Sequence, residues 1–528
     1  MGTSVLRNLT LIFQRSTRTY YVPYLIICLL ISIGVIQTFS NTINHDVAWH
    51  LYTAAEYLAG GTLYHDIFWE PNFPLTLYLT IPPVYLAHMT DLSAINLFIL
   101  YIFCLISLSL FLTWNLLTLS PESPLRNSYA LLLSASYALV VVPGADFGQR
   151  EHIMSILTMP YIILAVLRIA GGVCAWPLRV FIGSLAGIGF SLKPHFLLIP
   201  LIIECYRWIK LRHLQEKGQS ETFAFISVTG LYGITLAFLN SEYFSTVLPY
   251  ALTVYNIAYQ STLQEILIQP ETILLPLTCL MYFKTRQSQN HVVATEMFLL
   301  SAIGFYFIFF IQMKGWHYHI YPVLSSLILT VTSMLIHEIQ RSRTLVFWSG
   351  KNEQLPINVW ILMTLFLCTL GTPYLKTNYE NPTMNRMMPI VKEHAADSSI
   401  FTFSSSLHTA FPLVNYAEVG WASRFPTLWL LPGIVRLQRD ATTNLTTHEV
   451  KYLQEIKQFV IDSVISDLSR KQPAIILLDV NRYKYFFDDH FFDYLKFFSS
   501  DPKFMAIWSH YKKINDIGGF QVFLRTST

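Results

Sequence analysis

The sequence predicts an α-helical polytopic membrane protein with a C-terminal α/β soluble domain on the outer face. Hydrophobic residues make up 53% of the 528 residues and charged residues only 13%, whereas a soluble protein carries about 25% charged residues. Apolar runs such as residues 24–39 and 97–117 approach or reach the roughly 20 residues that span a bilayer. From about residue 375 the chain becomes more polar and alternates short strand-like and helical patterns.

The orientation of the chain follows from its basic residues, because cytoplasmic loops are enriched in Lys and Arg. Arg7, Arg15 and Arg18 precede the first apolar run and place the N-terminus in the cytoplasm. The run is longer than a signal-peptide core, so we expect an uncleaved helix. The basic segments 207–218, 284–289 and 341–351 should also be cytoplasmic.

Alternation between these loops predicts about eleven transmembrane helices in a domain that covers residues 1–374, with its first external loop at 41–93. The predicted spans are about 21–40, 94–118, 128–143, 153–169, 174–192, 194–209, 221–240, 271–283, 293–313, 317–337 and 356–373. Segment 72–89 must have both ends outside, and Pro82-Pro83 should break it in the middle. We therefore predict a re-entrant or juxtamembrane element there.

The C-terminal domain, residues 375–528, should be a small external α/β domain. Segments 399–406 and 474–480 have the composition of buried strands, and 448–471 has apolar residues at helical spacing. Segment 511–525 predicts a β-hairpin whose turn contains Gly518 and Gly519.

Four polar clusters fall on the outer face in this topology, at 44–50, 145–152, 192–196 and 314–322. An ionisable group near the hydrocarbon costs a few kcal/mol, so such groups usually pair or face a wet cavity. A single cation such as Lys193 could instead extend to the lipid headgroups. The common face of all four clusters indicates one external site.

The first external loop offers acidic residues at both ends. Asp46 opens it, residues 47–59 have the periodicity of a helix lying along the membrane, and Gly60-Gly61 should end that helix. Asp66 and Glu70 follow just before segment 72–89.

This loop resembles that of the GT-C class of membrane glycosyltransferases, in the style of protein mannosyltransferases and lipid A aminoarabinose transferases. The resemblance lies in an Asp after the first helix, an amphipathic helix, "GGTLYHD", an acidic residue and "PNFPL". The blocks "FGQREH", "LKPH" and "KGWHYHIYP" are similar to those of uncharacterised bacterial members. Together these motifs cover roughly residues 20–330. The aminoarabinose-transferase type has Glu-Lys-Pro-Pro-Leu where this chain reads "EPNFPL". If that Lys helps hold the donor phosphate, another cation must do so here, and Arg150, Lys193 or Lys314 could.

The resemblance implies an inverting transfer of a sugar from a polyprenyl-phosphate donor to a cell-envelope acceptor, which could be lipopolysaccharide, another glycan or a protein. It implies the bacterial inner membrane, with the reaction on the periplasmic face. A transporter or flippase of a lipid-linked or anionic substrate is the alternative. The net charge of +3 gives no reason to expect a nucleic-acid partner.

By its position in the loop, Asp46 is the candidate general base for the acceptor hydroxyl. The alternative role is an N-cap for the helix that should begin at Val47. Asp66 and Glu70 are candidates to position the acceptor or a divalent cation, and metal dependence stays open.

Arg150 is the first candidate for the donor phosphate, because a guanidinium makes two parallel hydrogen bonds to phosphate oxygens. Glu151 or Asp146 could hold it. The alternative is an ordinary helix start, with Asp146 as the cap and Arg150 and Glu151 in solvent. Further candidates for phosphate or sugar contacts are Lys193, His195, Lys314, His317 and His319, with Gln149, His152, Trp316 and Tyr318 in support. The aromatic residues could equally form an interfacial belt.

Overall fold

The structure is a computed structural model that describes residues 25, 27–119, 128–211, 219–286, 293–349, 356–372, 381–444, 446–488 and 490–526. The chain divides into two compact units. Unit 1 comprises Met1–Asn41, Ile99–Gly230 and Thr262–Asn378, and unit 2 comprises Thr42–Phe98, Leu231–Ser261 and Tyr379–Thr528. The sequence did not predict that the first loop and the C-terminal region would belong to one unit.

Helices dominate the described residues. The longer ones are Ile27–Ser40, His45–Leu58, Leu75–Thr90, Ala94–Thr118, Ser128–Val140, Arg150–Ile169, Trp176–Phe190, Leu198–Lys210, Ser220–Leu239, Pro270–Arg286, Val293–Gln312, His317–Ser349, Ile357–Gly371, Pro382–His394, Leu431–Asn444 and Thr447–Lys471. Short helices occupy Leu248–Tyr250, Asn256–Ala258, Leu263–Leu267, Leu413–Ala417, Tyr494–Phe498 and Pro502–Trp508. Single 3-10 turns lie at Gly144–Asp146, Pro194–Leu197 and Leu407–Thr409, and π-helical turns at Tyr243–Val247 and Ala251–Tyr255.

Five of these helices are long and apolar enough to cross a membrane, or up to six if the pair Ile27–Ser40 and His45–Leu58 counts as one bent span. The five are Ala94–Thr118, Arg150–Ile169, Ser220–Leu239, Val293–Gln312 and His317–Ser342. Each of the eleven segments expected to span contains a helix, but the others are shorter than this criterion. The chain is thus a helical protein with membrane-spanning character, and the count of eleven stays a prediction.

The expected break at Pro82-Pro83 is wrong. Helix Leu75–Thr90 is continuous, with both prolines inside it. Proline fixes φ near −65°, which suits a helix, so the cost is confined to lost N–H donors and to crowding of the preceding turn. Sixteen residues at about 1.5 Å each reach about 24 Å, less than the roughly 30 Å of a bilayer core.

The helix that carries Asp46 begins earlier than expected. Asn44 is its N-cap, and the Asn44 side chain accepts the backbone N–H of Asp46 at 2.9 Å. The alternative role of Asp46 as the cap is therefore wrong, and its carboxylate lies in the first turn. The helix ends at Leu58, before Gly60 with φ 98°, which confirms the expected stop.

Unit 1 contains a buried ion-pair network between helices. The Glu221 carboxylate is 1% exposed and lies 2.7 Å from Arg207 and 3.6 Å from both Arg168 and Arg179. Arg207 also pairs with Glu204 at 2.9 Å. Paired partners are required here because an uncompensated buried charge is strongly destabilising.

Unit 2 contains a five-stranded sheet, built from β1 (Ser399–Phe403), β2 (Gly420–Trp421), β3 (Ile475–Asp479), β4 (Tyr511–Ile517) and β5 (Phe520–Arg525). The strand order is β2-β1-β3-β5-β4. β1 is parallel to β2 and β3, while β5 is antiparallel to β3 and β4. Every residue of β1 and β3 is buried, as expected for strands covered on both faces. The predicted strands, helix and hairpin of this region are confirmed.

Helix His45–Leu58 packs against the C-terminal region within unit 2. The Trp49 ring contacts the Phe411 ring edge-on, with 5.3 Å between centroids. The Tyr52 hydroxyl accepts the backbone N–H of Trp421 at 2.8 Å, and Asn415 Nδ2 donates to the Ala48 carbonyl at 3.0 Å. These contacts fix the helix that holds Asp46.

A buried salt bridge joins Arg424, in the segment after β2, to helix Thr447–Lys471, and the first loop contacts Arg424 through its backbone. Asp467 is 0% exposed and accepts hydrogen bonds from the Arg424 backbone N–H at 2.8 Å and from its Nη2 at 2.9 Å. The Arg424 carbonyl in turn accepts the backbone N–H of Trp69 at 3.0 Å.

We predict that Asp467→Asn lowers the stability of the protein. Removing one partner of a buried pair costs about 3–5 kcal/mol, and we expect about 2–3 kcal/mol here because Arg424 keeps some contact with water. Thermal unfolding in detergent would show a lower midpoint. Asp462→Asn, at an exposed position of the same helix, is the matched control. An equal midpoint for the two variants would contradict this prediction.

Candidate functional site

A tight turn leads into helix Arg150–Ile169 in unit 1. The 3-10 turn Gly144–Asp146 is followed by Gly148, whose φ of 80° favours glycine. The Gly148 N–H donates to His152 Nδ1 at 3.0 Å, so the proton of this imidazole lies on Nε2, which donates to the Leu139 carbonyl at 2.8 Å. His152 thus has a structural role, and it holds the turn that precedes Arg150.

The expected alternative of an ordinary, solvated helix start is wrong. Arg150 is 5% exposed and Glu151 is 1% exposed. Asp146 lies in the preceding 3-10 turn, while the N-cap position belongs to Gln149, which makes no side-chain cap hydrogen bond and is 2% exposed. Burial of two adjacent charged residues at a helix start calls for compensating charges around them.

Lys193 supplies the partner of Glu151. Its Nζ lies 2.5 Å from Glu151 Oε1 and 3.1 Å from His319 Nε2, and His319 Nε2 is 3.6 Å from the same carboxylate oxygen. Since an ammonium can only donate, His319 Nε2 accepts and its proton lies on Nδ1. Three predicted residues from separate segments therefore meet in the interior of unit 1.

Lys314 lies in the short connection before helix His317–Ser349, between two left-handed residues. Met313 has φ 49° and Gly315 has φ 66°; a left-handed conformation is uncommon for Met and is tolerated where the surroundings fix it. The Lys314 ammonium lies 6.0 Å from the Trp316 ring centroid, and Lys193 lies 5.4 Å from that of Tyr318. Both distances are in the range of cation–π contacts.

The aromatic residues Trp316 and Tyr318 stack on each other with 5.7 Å between centroids. Tyr318 is 8% exposed, which does not suit a residue of an interfacial belt. His317, by contrast, is exposed, so the structure separates it from His319 although only one residue lies between them.

We call Arg150, Glu151, Lys193, His195, Lys314 and His319 the basic cluster. The charges of Lys193 and Arg150 both act on His195; burial and these charges lower the pKa of its imidazole to about 3, so it is neutral at neutral pH. Burial and the charge of Lys193 lower the pKa of Lys314 to about 7. These shifts mark a region of positive potential with low access to water.

In chemical terms, the basic cluster suits an anion with several acceptor oxygens. Arg150, Lys193 and Lys314 are each less than 9% exposed, and desolvated cations bind a phosphate more strongly than surface cations do. Neutral His195 and His319 can add hydrogen bonds to phosphate or hydroxyl oxygens.

The acidic candidates lie in unit 2. The Asp46 carboxylate is 19% exposed and lies 3.7 Å from His45 Nε2. The ring of His45 contacts that of His408 with 3.8 Å between centroids, and the Asn381 side chain donates to the His408 carbonyl at 2.7 Å. Sequence reasoning missed His408, because nothing in the local pattern links residue 408 to the first loop.

Asp66 and Glu70 have separate partners. Asp66 pairs with Arg470 at 2.9 Å and with His65 at 3.0 Å. Burial alone would raise the pKa of the Asp66 carboxyl, but the hydrogen bonds from His65 and Arg470 lower it. Glu70 is 4% exposed, and its Oε2 accepts the Trp49 indole N–H at 2.6 Å. Glu70 therefore orients the helix of Asp46 through Trp49.

A metal site was left open by the sequence. Within the residues that the structure describes, no group of three or more His, Cys, Asp or Glu side chains is arranged to hold a metal ion.

We predict that anion binding to the basic cluster weakens above neutral pH. A bound anion favours protonated Lys314 and therefore raises the pKa of Lys314 in the complex. The affinity for the anion is highest below the pKa of Lys314 in the free protein, about 7. It falls as pH rises from that value to the higher pKa of the complex. Between about pH 6 and about pH 9, a one-unit rise of that pKa on binding corresponds to about a tenfold loss. Titration with methyl farnesyl phosphate, a phosphodiester of constant charge, would measure it. Lys314→Arg should flatten the pH dependence, and the same slope in wild type and variant would exclude Lys314 as its source.

No protein-family model matches the chain, and no curated protein matches it significantly. The features that bear on function are thus the basic cluster of unit 1 and the Asp46, His45 and His408 side chains of unit 2.

Proposed function

We propose that this protein is an integral-membrane inverting glycosyltransferase. It would transfer a sugar from a polyprenyl-phosphate donor to a cell-envelope acceptor on the periplasmic face of a bacterial inner membrane. The observation that carries the proposal is the basic cluster, in which three buried cations and two neutral imidazoles lie close to one another. The resemblance of the loop motifs to GT-C enzymes gives the proposal its reaction class.

The donor phosphate is the assigned ligand of the basic cluster. As the sugar leaves, the lipid phosphate gains negative charge, and fixed cations stabilise that charge where it develops. Arg150 supplies two parallel donors, while Lys193 and Lys314 supply point charges. Glu151 holds Lys193 in place through their 2.5 Å contact, so its role is positioning. Any one of these three cations can take the role of the Lys that is missing from the first loop.

Asp46 is the assigned general base. The acceptor hydroxyl oxygen attacks the anomeric carbon, its proton passes to the Asp46 carboxylate, and the bond from that carbon to the phosphate oxygen breaks with its electron pair on the phosphate. One displacement inverts the anomeric configuration. His45 lies 3.7 Å from the carboxylate, and the Trp49–Glu70 hydrogen bond fixes the helix that carries Asp46.

The decisive experiment follows release of free polyprenyl phosphate from a panel of radiolabelled polyprenyl-phosphate sugars. The protein is reconstituted in lipid, and a crude envelope extract supplies the acceptor. Wild type should turn over one donor, and Asp46→Asn should reduce turnover by about 10²–10⁴-fold, because loss of a general base costs that much.

Asp66→Asn is the matched control, since its carboxylate already pairs with Arg470. It should retain most of the turnover. Full activity in Asp46→Asn would remove Asp46 from the base role. Failure of every donor to turn over in a competent extract would instead favour a transporter or flippase, for which buried charges would line a substrate path.

The proposed orientation predicts opposite accessibility for two exposed positions. A single cysteine at His65→Cys, whose parent side chain is 74% exposed, should react with a membrane-impermeant maleimide in spheroplasts. A cysteine at Lys210→Cys should react only after permeabilisation, because segment 207–218 is assigned to the cytoplasm. The native cysteines are replaced first. Labelling of both positions, or of Lys210→Cys alone, before permeabilisation would overturn the assigned topology.

A further inference from the structure

The sheet of unit 2 has a point where its chain connections diverge. From β1 the chain passes to β2 on one side, and the next parallel strand, β3, lies on the other side of β1. The connections after β1 and β3 therefore leave the sheet in different directions at their carboxyl ends. In open parallel sheets ligands bind in the crevice at such a switch point.

The residues that follow β1 and β3 at this edge are polar. Ser404, Ser405 and Ser406 follow β1 directly. Asp479 ends β3, and its Oδ1 accepts hydrogen bonds from Asn481 N at 3.0 Å and Nδ2 at 2.8 Å. A buried sheet edge needs hydrogen-bonding groups of this kind where a polar ligand approaches it.

The loop after β3 presents two tyrosines to solvent. Tyr483 is 63% exposed and Tyr485 is 67% exposed, whereas Lys484 between them is 6% exposed. Lys484 Nζ donates to the Asn481 carbonyl at 2.5 Å, and Ser405 Oγ donates to the Tyr485 carbonyl at 2.7 Å. The backbone of the loop is thus held by its own lysine and by Ser405, so the positions that carry the exposed rings are preorganised.

The loop after β1 leads to the neighbourhood of Asp46. His408 lies five positions beyond the last residue of β1, Phe403, and its ring contacts that of His45. The Asp46 carboxylate is 3.7 Å from His45. The carboxyl edge of the sheet and the assigned general base are therefore connected through two touching imidazoles, all within unit 2.

We infer that the carboxyl edge of β1 and β3 is the acceptor site and that its ligand is a carbohydrate. This inference rests on the proposed function and names the substrate class of the acceptor. A pyranose has an apolar C–H face and a rim of hydroxyls; the faces of Tyr483 and Tyr485 suit the first, and the Ser404–Ser406 and Asn481 groups suit the second. His408 lies where a hydroxyl of the bound sugar approaches Asp46.

A protein or a lipid surface fits this edge less well. The tyrosines alternate with Arg482 and Lys484, and the loop continues to exposed Asp488, which pairs with Arg436 at 3.2 Å. A loop that inserts into a bilayer would present a continuous apolar surface instead.

The test measures glycan binding without any donor. Fluorescently labelled full-length protein in lipid nanodiscs is applied to an array of bacterial surface oligosaccharides that includes lipopolysaccharide core fragments. Wild type should bind a defined subset of these oligosaccharides. The double variant Tyr483→Ala/Tyr485→Ala should lose at least about tenfold in affinity for that subset, because two stacking rings are lost. Tyr85→Ala, at a tyrosine that is 55% exposed on helix Leu75–Thr90, is the matched control and should bind as wild type does.

Each result decides the inference. Absence of glycan binding by wild type, or equal binding by wild type and the double variant, would overturn it. Equal thermal midpoints of the double variant and wild type would show that the loss is local, as expected for exposed side chains. Donor turnover is followed in the same preparations. If a donor turns over but the double variant binds glycan as wild type does, the acceptor site is rejected and the glycosyltransferase reaction is retained. If glycan binding depends on the two tyrosines but no donor turns over, the glycosyltransferase reaction is rejected and the glycan-binding site is retained.

Discussion

The contact between the Lys193 ammonium and the Glu151 carboxylate is the constraint on which the organisation of the basic cluster depends. Both groups are almost completely buried, and an isolated charge in such surroundings would be strongly unfavourable. To satisfy the pair, the start of helix Arg150–Ile169, the turn before Pro194 and the start of helix His317–Ser349 must meet. Gly148, Met313 and Gly315 supply the left-handed backbone that lets the flanking turns do so.

The buried network around Glu221 in unit 1 differs from the basic cluster in its charge balance. Around Glu221, three arginines face two carboxylates, Glu221 and Glu204, an arrangement suited to holding helices together. The basic cluster has three cations and Glu151, together with two imidazoles. Its charge balance is more positive, because three cations face one carboxylate. That difference favours a structural role for the Glu221 network and an anionic ligand for the basic cluster.

Much of the fold could be predicted from the sequence because it depends on local patterns. The length of the apolar segments predicted the helices, and segment 511–525, with Gly518-Gly519 in its turn, predicted the hairpin. The start of the Asp46 helix was misplaced because Asn44 and Asp46 are both good caps, and only the backbone shows which one accepts an N–H. The predicted helix break at Pro82-Pro83 was wrong because proline disfavours the interior of a helix, yet the φ angle of proline is compatible with one. His408 was missed since its contact with His45 spans over 360 positions, a separation that no local pattern records.

The composition of unit 2 has a consequence for how the protein is made. Its helix with Asp46 is synthesised among the first residues, but the partners of that helix, among them Phe411, Asn415 and Trp421, belong to the last segment, Tyr379–Thr528. The ribosome completes that segment only after all of unit 1 has been translated. During synthesis the side of the Asp46 helix that faces Phe411 and Trp421 therefore stays uncovered. Premature termination after residue 378 would yield a chain that retains the residues of the basic cluster but lacks these partners of the Asp46 helix.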